Sequence, residues 1–400
     1  MAIVSGIWVT YILRHLEGEQ VSENIALTVA PTAGGQPPSS PAGQIQSHRK
    51  TFGSMRETLR MLRLFGPMHM LKLARAYRQG WNDLLRGALE TRAMQTLLNV
   101  GFLDELVKCG TVEAAQYARV HNLDETILRG LCEALFSVRM FGRNGDSFFL
   151  EPKGKLLMDK FRGWLELSYG YEEVFHRLEP LLRKEIVYGK DIYRRPDFVA
   201  KGSGEMENHF YFPIANEIII EKGFKNVLDL GCGDGTFLRR LCQLNDQVTC
   251  FGIDLAPQAV EDGKRLVAQE GLQDRVNLYA ADISAITELS GPLKQVDAAT
   301  TFFVLHELMY DSEQRVIDFL KDFRRIFPAT PLIVFEPIRP TPEEARARPG
   351  VGIYYFLFHD LSHQKTAGRE QWMKVFRAAG FTSISERYLG VARTAIFQLQ

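Results

Sequence analysis

The residues with the clearest chemistry lie in one glycine-rich stretch, VLDLGCGDGTF at residues 227–237. Its pattern indicates a buried strand, a tight turn and the start of a helix. Such a turn is typical of nucleotide-cofactor sites, because glycine lets a ligand approach the backbone and tolerates unusual φ and ψ angles. Asp229 at the strand end would repel the pyrophosphate of a dinucleotide but attract the cationic amino group and sulfonium of S-adenosylmethionine (SAM). The stretch therefore predicts a SAM site.

The ends of further predicted strands face the same site. Asp254 ends the apolar stretch at 248–253, where a carboxylate can accept both ribose hydroxyl groups. Asp282 follows the strand predicted at 276–280, the place where an adenine amino group would be recognised. The predicted cofactor-binding residues are Asp229, Gly231, Gly233, Asp254, Leu255, Asp282, Ile283 and Phe302.

Four stretches, in this order, resemble the class I SAM-dependent methyltransferases: VLDLGCGDGTF, FGIDLAP, AADIS and VDAATTFFVLHE. The resemblance covers residues 215–400 and implies an α/β fold, a Rossmann-like, doubly wound and mostly parallel sheet with SAM at the carboxyl ends of its strands. From about residue 85 onward the chain is also similar to small-molecule O-methyltransferases. That likeness implies an enzyme that acts on a small molecule in natural-product biosynthesis, and a homodimer whose N-terminal helices interlock.

Length and composition set broad limits on the function. The 400 residues are enough for more than one domain, and 46% apolar and 24% charged residues are typical of a globular protein with a large core. The formal charge of zero gives no sign of nucleic acid or a membrane as a partner, and no apolar run is long enough to span a bilayer. The N-terminus lacks signal-peptide features, so a cytoplasmic protein is expected. The cysteines, expected to be reduced and buried, are Cys109, Cys132, Cys232, Cys242 and Cys250.

Changes in pattern divide the chain into four parts. Residues 1–50 form an appendage with two β-like runs and a Pro/Gly/Ser linker, and residues 51–150 form a helical winged-helix dimerisation domain. Residues 151–222 form a helical, aromatic bridge that walls the acceptor pocket, and residues 223–400 form the SAM-binding methyltransferase domain. The substrate-binding residues predicted from the bridge are Arg194, Arg195 and Tyr211.

The winged-helix prediction depends on a helix-turn-helix at 111–135 and a hairpin at 140–150 with Asn144 and Gly145 at its turn. Such a domain raises a SAM-binding DNA-binding regulator as an alternative function. The second helix of the motif, at 124–135, is net negative, however, and contact with phosphates requires the opposite charge. The sequence therefore favours an enzyme over a regulator.

Two histidines and a neighbouring carboxylate are the candidate catalytic residues. His306 and Glu307 follow the fourth predicted strand, at 296–303, and His359 ends an aromatic run that begins at Ile353. Both histidines follow hydrophobic stretches that should deliver them to the same cleft. This placement favours a functional role for the pair.

Three roles are open for these histidines. In an O-methyltransferase, one of them takes the proton of the acceptor hydroxyl while Glu307 or Asp360 orients its ring. In a second role, His306 and His359 bind a divalent metal (Fe or Zn) that makes a chelated 2-oxo acid easier to enolise, so that its carbon attacks SAM. This pattern resembles the 2-oxo acid C-methyltransferases of natural-product pathways, which carry a His-Asp pair at each place, whereas the first pair here is His306-Glu307. In the third role both are structural. The residues favour the metal, and His363, four positions after His359, would share its helix face.

Overall fold

The computed structural model describes residues 55–283, 293, 295–350, 352–390 and 392–400. The predicted appendage at 1–50, with its strands and linker, lies outside the described residues. The chain divides into two compact units, with the boundary between Ala88 and Leu89.

The N-terminal part is helical, as the apolar spacing at 51–105 predicts. Its helices are α1 (Met55–Phe65), α2 (Pro67–Arg78), α3 (Trp81–Asn99) and α4 (Phe102–Cys109). The end of α3 places Met94 and Leu97 in one hydrophobic core with Phe102 and Leu106 of α4. These positions are three or four residues apart, so they share a helix face.

A small sheet with a hairpin follows α4. Its elements are β1 (Val112–Glu113), α5 (Ala114–Val120), α6 (Glu125–Ser137), β2 (Phe141–Asn144) and β3 (Ser147–Leu150). β3 lies between β1 and β2 and is antiparallel to both. The hairpin predicted at 140–150 is confirmed, but its two-residue turn consists of Gly145 and Asp146, and not of Asn144 and Gly145. Gly145 has a φ of 60°, which a tight hairpin turn requires at this position.

A group of helices connects this region to the main sheet, as predicted for 155–222, except that residues 183–195 form turns and loops and not a helix. They are α7 (Pro152–Lys160), α8 (Arg162–Gly170), α9 (Glu172–His176), α10 (Leu178–Leu182), α11 (Pro196–Phe210) and α12 (Phe212–Lys222). Two glycines bring α8 and α11 into backbone contact. A Cβ on Gly202 would lie 2.5 Å from the Leu167 nitrogen and 2.6 Å from the Gly163 oxygen. This contact fixes the position of α11.

Among the described residues, seven strands form the main sheet, in the order β6-β5-β4-β7-β8-β10-β9. They are β4 (Asn226–Leu230), β5 (Thr249–Asp254), β6 (Val276–Ala280), β7 (Ala298–Phe302), β8 (Leu332–Pro337), β9 (Ile384–Leu389) and β10 (Thr394–Leu399). β4 to β8 are parallel, and β10 is antiparallel to both of its neighbours. The predicted α/β, doubly wound, mostly parallel sheet is confirmed.

Helices and apolar side chains cover both faces of this sheet. The helices in this part of the chain are α13 (Thr236–Leu244), α14 (Pro257–Gln269), α15 (Leu305–Asp311), α16 (Glu313–Ile326), α17 (Pro342–Ala347), α18 (Gly352–Leu361) and α19 (Arg369–Ala378). Leu228 and Leu230 of β4 share one core with Trp372, whereas Val227 belongs to a second core with Phe237. This alternation follows from the two-residue period of a strand. With both faces buried, the carboxyl edge of the sheet remains for a site.

Four of the five cysteines are buried free thiols, but the prediction is wrong for Cys109. Cys109 is exposed at the end of α4, and its thiol donates to Glu105 Oε1 over 3.0 Å. Cys232 is buried beside Gly252, which agrees with its prediction as a small packing residue. No helix in the described part of the chain is long and apolar enough to cross a membrane.

The contact between α8 and α11 predicts opposite effects for two alanine substitutions on one helix. Gly202→Ala should destabilise the protein by about 1–3 kcal/mol, because the new methyl group would meet the backbone of α8. Gly204→Ala should be neutral or stabilise by about 0.5–1 kcal/mol, since nothing lies within 4 Å of its Cβ position. Thermal unfolding of both variants measures the difference. Equal midpoints would contradict the close packing.

Candidate active site

A cleft of about 450 Å³ opens at the carboxyl ends of the parallel strands. The strand order reverses between β4 and β7, and such switch points are where doubly wound sheets bind ligands. Most residues that the sequence predicts for the site line this cleft: Arg194, Gly231, Asp254, Leu255, Asp282, Ile283, Phe302, His306, Glu307 and His359. The predicted residues that do not line it are Asp229, Gly233, Arg195 and Tyr211.

The glycine turn after β4 lets a ligand come close to the backbone. Gly231 has a φ of 85°, and a Cβ there would overlap Val304. The N–H of Gly233 donates to Asp254 Oδ2 over 2.8 Å, and the N–H of Ala256 donates to Oδ1 over 2.8 Å. Asp254 thus ties the turn to the end of β5, and each of its oxygens keeps a lone pair for a ligand.

Asp229 is buried next to the cleft surface. Its side chain is 2% exposed, and its Oδ1 accepts a hydrogen bond from Thr300 Oγ1 of β7 over 2.8 Å. Burial raises the pKa of Asp229 to about 7, the Thr300 hydrogen bond opposes this shift, and the charge of Asp254 adds to it. A cation at the turn would favour the ionised carboxylate, which is the electrostatic role that the sequence predicts.

His306 and His359 come together with their Nε2 atoms 3.2 Å apart. His306 Nδ1 lies 2.9 Å from Glu336 Oε2, and His359 Nδ1 lies 2.7 Å from the carbonyl oxygen of Tyr355. A carbonyl and a carboxylate can only accept, so both Nδ1 atoms carry a proton and donate it. The two Nε2 atoms therefore face each other, and a proton or another cation must lie between them.

Burial and charge act in opposite directions on the two rings. Burial lowers the pKa of His306, but the carboxylate of Glu336 outweighs it, so the pKa lies above its usual value. Burial, together with the charge of His306, lowers the pKa of His359 to about 3. Of the two rings, His306 is therefore the one that favours the additional proton at Nε2.

The carboxylate that orients His306 is Glu336, and not Glu307 or Asp360 as the sequence predicts. Glu336 lies in β8, one residue before its end, and is fully buried. Glu307 instead accepts a hydrogen bond from Gln364 Nε2 over 3.1 Å, and Asp360 Oδ2 accepts one from Arg339 over 3.1 Å. Neither side chain contacts an imidazole ring by a hydrogen bond in the described structure.

The predicted helix face shared by His359 and His363 is wrong. Helix α18 ends at Leu361, and His363 has a φ of 57°, which lies in the left-handed region. His363 therefore leaves the helix before the four-residue spacing can apply, and its ring lies near Tyr188, with the centroids 5.9 Å apart.

Arg194 lies in a polar network on the cleft wall. Its Nη1 donates to Tyr171 OH over 2.8 Å and to Gln364 Oε1 over 2.7 Å. Its Nη2 is 3.7 Å from Glu307 Oε1. A guanidinium has five N–H donors in a fixed plane, so these contacts orient Arg194 and leave donors for an anion in the cleft.

The other two predicted substrate residues lie elsewhere. The Arg195 guanidinium is 4.1 Å from the centroid of the Phe198 ring and pairs with Asp197 over 2.9 Å. Tyr211 lines a smaller neighbouring cavity, and its OH is 3.0 Å from Thr394 Oγ1. Burial raises the pKa of Tyr211 to about 12.

Solved structures with the same fold are methyltransferases. The mitomycin 7-O-methyltransferase MmcR matches with a TM-score of 0.60 and 16% identity, over 82% of this chain and 99% of that one. Human N-acetylserotonin methyltransferase in complex with SAM matches with a TM-score of 0.56 and 16% identity, over 81% of this chain and 97% of that one. At this identity the likeness concerns the fold.

Sequence similarity gives the reaction class. A family model for a methyltransferase domain matches residues 228–327. The chain is 27% identical over 311 residues to the 2-ketoarginine methyltransferase of Streptomyces arginensis, which covers 76% of this chain and 88% of that protein. It is 24% identical over 336 residues to the methyltransferase ungE' of Aspergillus campestris, which covers 80% of this chain and 96% of that protein. The protein is a SAM-dependent methyltransferase with the class I fold.

Sequence reasoning missed several residues at the cleft of this methyltransferase. Glu336 ends its strand just as Asp229 and Asp254 end theirs, and that signal could have found it. Phe303 lines the cleft with a φ of 58°, a strained value for a residue other than glycine, and no sequence signal marks it. Glu207 of α11 also lines the cleft, but in the sequence it resembles an ordinary solvated helix charge.

The position of Asp254 predicts a selective loss of SAM binding by the methyltransferase. Asp254→Ala should weaken SAM binding by about 2–4 kcal/mol, because two charge-assisted hydrogen bonds to the ribose would be lost. The exposed Asp262 on α14, which bonds Gln258 and not the cleft, provides the control Asp262→Ala. Calorimetric titration with SAM measures both. Wild-type affinity in a folded Asp254→Ala protein would remove Asp254 from the cofactor site.

Proposed function

We propose that this methyltransferase transfers a methyl group to a carbon of a small 2-oxo acid, in natural-product biosynthesis, with a divalent metal (Fe or Zn) held by His306 and His359. The observation that carries the proposal is the convergence of the two Nε2 atoms, 3.2 Å apart. Metal-binding histidines are oriented in this way, with Nδ1–H donated to a carboxylate or carbonyl and Nε2 free for the metal.

The histidine pair fits a metal ion in its dimensions. Two Zn–N bonds of about 2.0–2.1 Å at a tetrahedral angle place the nitrogens about 3.3 Å apart. In the described part of the chain, no group of three or more His, Cys, Asp and Glu side chains is placed to hold a metal. A metal on these two residues would therefore keep positions open, which a chelating acceptor requires.

The acceptor would lie between Arg194 and the histidines. When bound, the metal would polarise the ketone oxygen and make the neighbouring C–H more acidic. That carbon would lose its proton to solvent and take the methyl group from the sulfonium of SAM, which leaves as neutral S-adenosylhomocysteine. Arg194 would hold the carboxylate of the acceptor by paired N–H donors, while Tyr171 and Gln364 keep its plane fixed. Holding the carbon in line with the SAM methyl group is then the main catalytic contribution of the protein.

SAM would lie across the glycine turn. We assign its amino group and sulfonium to the field of Asp229, its ribose to Asp254, and its adenine to the wall formed by Asp282 and Ile283. Similarity to the 2-ketoarginine methyltransferase of Streptomyces arginensis supports the acceptor class, since 2-ketoarginine is a 2-oxo acid.

An O-methyltransferase with a histidine base is the second candidate. The observation that favours it is the pairing of His306 with the Glu336 carboxylate over 2.9 Å, an arrangement that general bases use. The charges argue against it. The raised pKa of His306 favours the protonated ring, which cannot accept a proton, and the pKa of about 3 makes His359 a weak base.

We also propose that the region from α4 to β3 is a winged-helix domain that pairs in a homodimer. The order helix, strand, two helices and hairpin supports the domain type. The apolar side chains of Val107, Val120 and Ile127 are exposed, which supports a protein partner. Arg129 is paired with Glu125 over 3.5 Å and with Asp146 over 3.2 Å, so its charge offers little to DNA.

The metal proposal predicts coupled losses. His306→Ala and His359→Ala should each abolish metal binding and methylation of 2-oxo acids, while SAM binding persists. Chelator treatment should inactivate the wild type, and added divalent metal should restore it. Metal analysis of untagged protein and assays on 2-oxo acids and phenols, with and without EDTA, measure these effects.

His363→Ala is the matched control for these variants, because His363 is near the pair in the chain but outside the cleft. It should keep both metal and activity. The O-methyltransferase would be favoured if the enzyme methylates a hydroxyl group equally well with and without EDTA. One histidine variant should then lose turnover by roughly 10²–10⁴-fold.

From the position of Arg194 we expect it to bind the carboxylate of the acceptor. Arg194→Gln should cost about 1.5–3 kcal/mol of transition-state stabilisation for 2-oxo acids, because a hydrogen-bonded charge pair is lost, and kcat/KM should fall accordingly. The affinity for SAM should be unchanged. The neighbouring variant Arg195→Gln should have no effect, since Arg195 does not line the cleft. Unchanged kinetics in Arg194→Gln would show that the carboxylate binds elsewhere.

A further inference from the structure

A second cavity adjoins the cleft and shares Ser203, Glu207, Phe303 and Tyr355 with it. Its volume is about 40 Å³, which is room for a compact group of a few heavy atoms and not for a second ring system. The aromatic side chains in its wall are Trp164, Tyr211, Phe303, Tyr355 and Phe356.

Glu207 is the acidic residue in this aromatic wall, and no Lys, Arg or His lines the cavity among the described residues. In that same part of the chain, no hydrogen bond or ion pair reaches its carboxylate. Burial raises the pKa of Glu207 to about 8, and the charge of Asp229 adds to the shift. A carboxyl group left without a partner in such surroundings costs free energy, which a bound cation would recover.

We propose that this cavity binds a cationic headgroup of the acceptor, an ammonium or guanidinium group, with Glu207 as its counter-ion. Aromatic rings around a carboxylate favour this chemistry, because the face of each ring attracts a cation. An anionic headgroup would oppose ionisation of Glu207, and an apolar one would leave the half-buried carboxyl group unpaired. The inference rests on the proposed function, which places the reacting end of the acceptor at the histidine pair.

The cofactor offers a competing cation. Asp229 lies close enough to Glu207 to influence its pKa, so the amino group of SAM is the other group that Glu207 could hold. SAM affinity separates the two assignments, since only the second requires Glu207 for cofactor binding.

The test is binding of butylguanidinium and of its neutral isostere butylurea to the protein loaded with S-adenosylhomocysteine, measured by calorimetry. Wild type should prefer butylguanidinium, and Glu207→Gln should weaken its binding by about 10- to 100-fold without changing SAM affinity. Glu205→Gln is the control, because Glu205 lies on the same helix outside both cavities and contacts His209. Equal binding of the two probes by wild type overturns the proposal even if the variant does not fold, and so does an equal loss of SAM affinity in Glu207→Gln.

Turnover distinguishes this inference from the proposed function. A 2-oxo acid with a terminal guanidinium group should be methylated with a kcat/KM about 10- to 100-fold above that of the terminal ureido compound, and Glu207→Gln should remove the difference. Equal methylation of both compounds overturns the cationic cavity and leaves the 2-oxo acid reaction standing. If no 2-oxo acid is methylated, the proposed function is contradicted. The binding measurement with the two probes then tests the cationic cavity by itself.

Discussion

One buried carboxylate, that of Glu336, holds the reactive end of the cleft together. It accepts hydrogen bonds from the backbone N–H of Leu305 over 2.8 Å and from His306 Nδ1 over 2.9 Å. A buried charge without such donors costs several kcal/mol, so both hydrogen bonds must be kept. The Glu336 carboxylate therefore holds the end of β8 against the start of α15 and against the imidazole ring. The N-terminal end of α15 adds favourable partial charge. Because His306 in turn contacts His359, this one residue links the sheet edge to α18.

The positions of the glycine turn, Asp229 and Asp254 at one end of the cleft could be predicted from the sequence because the pattern that fixes them is local. Asp229 and the glycines that follow are neighbours in the chain, and the strand–turn–helix pattern fixes where they lie. The position of Asp254 could be predicted for the same reason, because it is the last residue of a clear apolar strand. The hydrogen bond that Asp254 accepts from Gly233 could not be predicted, since it depends on β4 and β5 being neighbours in the sheet.

The acceptor end could be predicted only in part. The sequence predicts that His306 and His359 meet, because each follows a hydrophobic stretch that leads to the cleft. The partner of His306, however, is 30 positions away on the adjacent strand, whereas Glu307 is its neighbour in the chain. Glu207 is harder still. Its helix is placed by the glycine contact at Gly202, and only that placement turns an ordinary helix charge toward the cleft. The hydrophobic periodicity of a sequence predicts a helix and its apolar face, but it does not predict on which other helix that face packs.

The charges of the cleft are arranged by sign. Asp229 and Glu207 are close enough for one to raise the pKa of the other, whereas Arg194 lowers the pKa of both histidines. Two carboxyl groups with raised pKa values, buried Asp229 and half-buried Glu207, favour positive ligands, and an arginine with unused donors favours a negative one. The proposed assignments place the amino group and the sulfonium of SAM at Asp229, which leaves Glu207 for a cation of the acceptor. Under the proposed assignments, an acceptor with a carboxylate at one end and a cation at the other pairs with both Arg194 and Glu207, so the distribution of charge, more than shape, selects the substrate.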